Sequence, residues 1–522
     1  MRVPLRSLAQ VAAVVAVVGL ALWTHRKTLD YGLLGWDAYP LIISSRILTP
    51  ADFTGTFTEV MMDGRYAQGS FYRPVHNLIL AAEYAVWGLD PRGYHFTALA
   101  AFAITIVLVF LTTRRLLRNH DWIAPALAAS FVALHPAMLT VLPVPARRVE
   151  LFVVVFLLAA VMCLPDAASN RRGRPLLAAL FVLLAAGCKE TGVVGLAVVL
   201  LHQLLMRETP ARCGDTGRGI AGPPTGAWSV LIRTTTRAAW PSATAVLVYV
   251  AARTLVIGGL GGHGTSSLAT WGGHVLEFAP RFLAATLCPW SPAAGWSTEL
   301  LSAAAGAVLV LTCLAALLTS HGGGRAALFG LGWIVIFVAF MGIAGRFSPW
   351  YAVPCVVGVG MALAGMCEAA REFLTAQTAW KRGGGAAIAI GAALVFVIAM
   401  AASPLIHNYA EWDNASARQR TFLSDLGAQI ASAPDGVRVD VYSMPRMLSR
   451  PDSGGPRLSG VAVLAPYSVQ AWAELSFADR RVRVVGGDGG ARIPPPARDE
   501  LLVVVWERSP PAGRSRPRTE SP

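Results

Sequence analysis

The sequence predicts a mainly α, polytopic membrane protein. It has about eleven transmembrane helices, amphipathic helices in the first outer loop and a small C-terminal α/β module. Three observations carry this. The 522 residues are 55% hydrophobic and only 14% charged, with a mean hydropathy of +0.53. That balance belongs to a chain facing lipid, not to one large soluble core. The apolar residues come in runs near the ~20 residues that a bilayer asks for, with arginine-marked connections between them. Beyond residue 405 the apolar runs shorten to strand length between Gly- and Pro-rich turns.

The first run, Leu8 to Trp23, follows Arg2 and Arg6, but no small-residue cleavage site precedes Thr24-His25-Arg26-Lys27, so it reads as an uncleaved helix. The spans fall near 5–24, 95–113, 122–142, 149–164, 175–188, 191–206, 239–258, 299–319, 326–345, 350–369 and 386–405. With the N-terminus inside, every inner connection carries Arg or Lys: Arg114 and Arg115, Arg171 and Arg172, Arg207 and Arg212, Arg233 and Arg237, Arg325, Lys381 and Arg382. The net charge of +14 is therefore read as membrane flanking. No basic stripe interleaved with aromatics points to nucleic acid.

This orientation puts a long polar loop, roughly Thr24 to Gly93, on the outer side, together with 259–296 and everything after Leu405. Val275 to Leu287 reads as an interfacial or re-entrant helix. The domain reading is a transmembrane domain over 1–405, an extracytoplasmic α/β module over 406–508 and a disordered Pro/Arg/Ser tail over 509–522. In the module, Asn408 to Ile430 reads as helix. Val437–Tyr442, Val461–Leu464, Val482–Val485 and Leu501–Trp506 read as strands. The seven cysteines show neither metal-ligand spacing nor a disulfide framework, so they read as packing residues.

The chemistry-bearing residues begin in the first loop. Asp37 lies between Trp36 and Tyr39, residues typical of a membrane interface, ahead of a short helix expected on the membrane surface over Leu41–Leu48. Partial desolvation there strengthens a carboxylate as a base. The bland alternative, about equally weighted, is that Asp37 merely caps that helix. Tyr72-Arg73-Pro74 opens a second amphipathic helix, with Pro74 suited to its first turn. Arg73 then sits at the wrong helix end for a dipole role and needs an anion: a ligand phosphate, or Asp52 or Asp63.

His135-Pro136 predicts a kink more than a catalytic histidine. Arg147-Arg148-Val149-Glu150 opens the fourth span, and Lys189-Glu190 lies between the fifth and sixth. Charges there line a cavity or pair with one another, and Lys189 and Glu190, as chain neighbours, need different partners. Arg253, about 20 Å along its helix from Trp240 at 1.5 Å per residue, is expected at the outer level, as is Arg346. Several cations and a carboxylate thus share the depth of a lipid phosphate.

Trp36-Asp37, Asp52-Phe53-Thr54-Gly55, Tyr72-Arg73-Pro74 and Gly93-Tyr94-His95 occur in the order of the first luminal loop of GT-C glycosyltransferases. His135-Pro136, Arg148-Val149-Glu150-Leu151 and Lys189-Glu190 continue that order. The chain most resembles the transmembrane O-mannosyltransferases that carry tetratricopeptide repeats, over roughly residues 30 to 206. It departs from them in having Trp36-Asp37-Ala38 where they show two adjacent acidic residues, and in lacking the repeats. Its C-terminal module resembles the variable soluble domains of bacterial members.

The resemblance implies an inverting hexosyltransferase in the bacterial cytoplasmic membrane with an outward-facing site. Its donor would be a polyprenyl-phosphate-linked sugar and its acceptor the hydroxyl of a protein or glycan. Asp37 would be the base, and Arg73, Lys189, Arg253 and Arg346 would hold the donor phosphate. Tyr72, His135, Arg148, Glu150 and Glu190 would support them. No metal ligand is assigned, though carboxylates of this sort leave room for a divalent ion. A lipid-linked saccharide transporter or flippase fits the helices but gives the first loop no role and would favour inverted repeats, which are not detected. An O-antigen polymerase or ligase would place its large loop later in the chain.

Overall fold

The computed structural model describes residues 5–64, 70–118, 122–165, 174–206, 227–259, 268–287, 296–345, 347–376, 409–436, 438–442, 444–448, 461–486 and 502–506. Within them, helices occupy the first ten predicted span positions. These are α1 (Leu5–His25), α5 (Pro91–Leu117), α6 (Ile123–Leu134), α7 (Val149–Cys163), α8 (Pro175–Cys188), α9 (Gly195–Leu205), α10 (Ala227–Ile257), α12 (Trp296–Thr319), α13 (His321–Ala344) and α14 (Val353–Ala376). Among the described residues, six helical segments are long and apolar enough to cross a membrane. Four more apolar segments, within 149–163, 175–188, 190–205 and 305–318, are shorter. The predicted span 386–405 lies outside the described residues. α11 (Leu268–Leu287) takes up the segment expected to be interfacial and packs on α12 and α13.

Among the described residues, α13 and α14 share the most extensive helix contact. It is built on small residues: a Cβ on Gly330 would meet the Gly358 carbonyl oxygen at 2.4 Å, and one on Gly365 would meet the Ala327 amide nitrogen at 2.3 Å. Close backbone approach of this kind is how apolar helices gain packing where lipid supplies no hydrophobic drive.

Between α1 and α5 the first loop holds three short helices, α2 (Ala38–Ser44), α3 (Pro50–Thr58) and α4 (Pro74–Trp87). Pro50, Pro74 and Pro91 each open their helix, where the missing N–H costs nothing. The surface helix expected at Leu41–Leu48 is corrected. α2 ends at Ser44 and buries Ala38, Tyr39, Pro40, Leu41 and Ile42. The exposed apolar residues lie further on, at Leu48, Phe53 and Phe57 on and beside α3.

The reason α2 is buried is the C-terminal module. Its parallel sheet has the order β4 (Arg483–Gly486), β1 (Arg438–Tyr442), β5 (Leu502–Trp506), with Val439 in register with Val484 and Val503. A two-residue antiparallel pair, β2 (Met447–Leu448) with β3 (Val461–Ala462), lies apart from it. Parallel neighbours need a crossover, and the Pro466–Ser476 helix lies on the connection from β1 to β4. That helix packs directly on α2. The Tyr409–Ser432 helix clasps the start of the loop: Gly32 N donates to Ser416 Oγ at 3.0 Å, Gln419 Nε2 to the Leu33 carbonyl at 2.8 Å and Tyr31 Oη to Asp413 Oδ1 at 2.9 Å. Leu33, Leu34 and Ile42 share one apolar core with Trp412, Leu426 and Val469. The loop and the module pack as one unit.

Candidate active site

Gly35 sets the geometry of the site. Its φ of +102° favours glycine, and a Cβ there would lie 2.7 Å from Val144 Cγ1. The turn delivers Asp37 to the N-cap position of α2, yet its side chain makes no capping bond. Instead Asp37 Oδ1 accepts from Tyr467 Oη at 2.7 Å. The neighbouring Trp36 Nε1 donates to the Arg446 carbonyl at 2.9 Å, so two residues of the turn are held by the module.

Asp37 faces a cavity of about 330 Å³, which Arg73, Arg147, Glu150, Lys189 and Tyr467 also line. Trp36, Trp350, Tyr351 and Trp412 supply aromatic walls. Segments more than four hundred residues apart in sequence therefore enclose one polar space with aromatic sides.

Arg73 sits at the start of α4, and its anion is neither Asp52 nor Asp63 but Glu190: Nε donates to Oε1 and Oε2 at 3.2 and 3.1 Å, and Nη2 to Oε2 at 2.8 Å. Burial works against the charge on Arg73, but Glu190 outweighs it and lifts the guanidinium pKa above its ordinary value. Lys189 turns the other way and pairs with Glu150, with its ammonium 4.0 Å from the Tyr351 ring centre. The chain neighbours Lys189 and Glu190 thus take different partners, because an extended residue (φ −159°, ψ 148°) separates α8 from the turn that follows.

Of the cations that line the cavity, Arg147 is the one that forms no ion pair among the described residues, although the Asp37 charge still acts on it. Its guanidinium stacks 3.8 Å over Trp350, and Nη1 donates to the Thr140 carbonyl at 3.3 Å. Burial draws its pKa down to about 10, with Asp37 the first group acting in the opposite direction, so it stays cationic at neutral pH.

Arg148, the neighbour expected to support the site, points away from the cavity. It is fully buried, forms an ion pair with Glu83 and donates to the Tyr94 carbonyl at 2.7 Å, joining α4, α5 and α7. His135 also lies off the cavity. α6 ends before it, Nδ1 accepts from Ala137 N at 3.1 Å, and Nε2 faces the Thr286 carbonyl at 3.0 Å. The break at His135-Pro136 is a helix end followed by a 3₁₀ turn over Pro136–Thr140, not a kink within a helix.

Tyr72 packs on Tyr249, whose hydroxyl donates to the Tyr72 carbonyl at 3.0 Å. Arg253, one turn beyond Tyr249 on α10, does not line the cavity. Arg346 lies outside the described residues. Among the described residues no group of three or more His, Cys, Asp or Glu is placed to hold a metal ion. The sequence marked Arg147 as an outer-face cation without giving it a role in the site, and it gave none to Trp350, Trp412 or Tyr467. Arg147 was visible as half of an Arg-Arg pair, whereas nothing local marks Tyr467.

No protein-family model matches the sequence, and no curated protein does. Among solved structures, the chain is similar to ArnT from Cupriavidus metallidurans bound to undecaprenyl phosphate. The identity is 15% and the TM-score 0.41, over 90% of this chain and 89% of that one. It is also similar to the Archaeoglobus fulgidus oligosaccharyltransferase in its apo form, at 12% identity and a TM-score of 0.44, over 92% of this chain. The same figures hold for AglB from that organism in complex with an inhibitory peptide and a dolichol-phosphate. The chain spans 65% of the archaeal protein's length. Similarity at this level assigns neither a reaction nor a residue.

Proposed function

We propose that this protein is an integral-membrane glycosyltransferase of the GT-C type. It would move a sugar from a polyprenyl phosphate to an acceptor hydroxyl on the extracytoplasmic face, with the N-terminus cytoplasmic. The observation that carries this is the single cavity in which Asp37 faces Arg147, Arg73 and Lys189 between aromatic walls.

In the proposed reaction Asp37 takes the proton of the acceptor hydroxyl as its oxygen attacks the anomeric carbon. The bond from that carbon to the phosphate oxygen breaks, its electron pair leaves with the polyprenyl phosphate, and the sugar carbon inverts. Charge grows on the departing phosphate, and a guanidinium already in place stabilises it without reorganising. Arg147 has donors to offer there, since Arg73 and Lys189 are already engaged by Glu190 and Glu150. Those two pairs are assigned the second role of fixing the cavity's rim. Trp350 and Trp412 give flat faces suited to a sugar ring and a prenyl chain.

The test is mass spectrometry of envelope glycans and glycoproteins from a strain lacking the protein, complemented by wild type or by Asp37→Asn. One sugar residue should disappear on deletion and return only with wild type. Full restoration by Asp37→Asn removes the base, and an unchanged glycan profile on deletion removes the transferase.

A further inference from the structure

A second cavity, of about 270 Å³, opens within the first loop between α2, α3 and α4. Ser44, Arg46, Asp52, Thr56, Glu59 and Asn77 line it. Asn77 is 8% exposed, and its Oδ1 finds no donor among the described residues. A buried carbonyl of this kind asks for a hydrogen-bond donor from whatever fills the space. Glu59 reaches back along α3 over Gly55: a Cβ there would lie 3.2 Å from the Glu59 carboxyl.

The two cavities share a wall. Met61 and Met62 line both. Met62 holds a left-handed φ of 64°, a conformation that costs energy in any residue with a side chain. Unbranched thioether side chains adapt to irregular gaps, which suits them to a wall between two cavities.

We infer that this second cavity is a subsite for a saccharide portion of the acceptor, seated beside Asp37 across the Met61–Met62 wall. The inference rests on the transfer reaction proposed above. The lining is rich in acceptors, namely two carboxylates, an amide oxygen and two hydroxyls, against one guanidinium. A molecule with many hydroxyl donors and a few ring oxygens matches that set. A phosphate does not, because Asp52 and Glu59 repel it. A divalent cation does not either, since Asp52 Oδ2 is taken by the Leu48 and Thr49 amides at 2.8 and 2.7 Å and Arg46 stands nearby.

Saturation-transfer NMR on the full-length protein in lipid nanodiscs tests this without turnover. The methyl α-glycosides of glucose, galactose and mannose serve as probes. At least one should show transfer with wild type and with Asp37→Asn. Its affinity should fall roughly two- to tenfold in Asn77→Leu and in the surface variant Glu59→Gln, the loss of one hydrogen bond each. Absence of transfer from all three glycosides overturns the saccharide assignment, as does binding that ignores both variants or vanishes only in Asp37→Asn. Glycoside binding that persists while the envelope profile is unaffected by deletion would remove the transferase reading alone.

Discussion

Tyr467 donates its phenolic hydrogen to Asp37 Oδ1 at 2.7 Å, across 430 positions of chain. A C-terminal helix that packs on α2 thereby reaches the proposed base directly. A hydroxyl held there fixes the carboxylate's rotamer and so its aim at the acceptor hydroxyl. Tyr467→Phe is expected to lower product in the complemented deletion strain by about tenfold, and Asp37→Asn by about a hundredfold or more. Because one residue acts through the other, the double variant should be no worse than Asp37→Asn alone. Envelope glycan quantification reads all three, and additive losses would show that Tyr467 acts independently of Asp37.

Arg147 and Arg148 differ by one position and face opposite ways, which separates their expected phenotypes. If the proposed donor site holds, Arg147→Gln should keep the fold but weaken binding of a polyprenyl phosphate, measured by native mass spectrometry, by roughly tenfold or more. Arg147→Lys should recover only part of the loss, since an ammonium neither stacks on Trp350 in the same way nor offers a planar fork. Arg148→Gln should instead reduce folded protein, as it strands the Glu83 carboxylate in a buried site. Equal phosphate binding by wild type and Arg147→Gln would take Arg147 out of the donor site.

How far the sequence reaches is visible in these same residues. Apolar runs mark the helices because a bilayer demands length and composition, and both are written locally. Asp37, Arg73 and Lys189 were legible for the complementary reason, that charges in a greasy chain need a purpose. The choice between Arg147 and Arg148 was not legible, because it depends on which way a short turn after α6 rotates before α7 begins. Tyr467 and Trp412 were hidden more deeply. Their role comes from docking of the C-terminal module on the first loop, a contact that no local pattern encodes. The same docking explains why α2 lies inside the protein and not on a membrane surface.

The Arg73–Glu190 pair is mostly enclosed, with side chains 14% and 19% exposed. Removing one member leaves a charge with poor solvation, a loss of about 3–5 kcal/mol in comparable sites. Arg73→Gln and Glu190→Gln should each lower the thermal unfolding midpoint of the detergent-purified protein. The Arg73→Gln/Glu190→Gln double variant should recover a large part of that loss, since two neutral amides can still bond. If the double variant is as unstable as the sum of the singles, the pair does not stabilise the fold through its charges.

His76 lies on α4 in the first loop, fully buried, with neither ring nitrogen hydrogen-bonded among the described residues. Burial, followed by the nearby Arg148 and Arg73 charges, holds its pKa well below the ordinary value. The folded protein therefore keeps His76 neutral in a range where the unfolded chain, with a pKa near ~6.5, takes up a proton. Stability from this group is complete above ~6.5 and declines as the pH falls below it, by up to about 1.4 kcal/mol per pH unit. Thermal unfolding at pH 7.5 and pH 5 should show wild type losing more of its midpoint on acidification than His76→Gln does. An identical drop in both would mean that acid sensitivity arises elsewhere, and that His76 is not the group the acid reaches first.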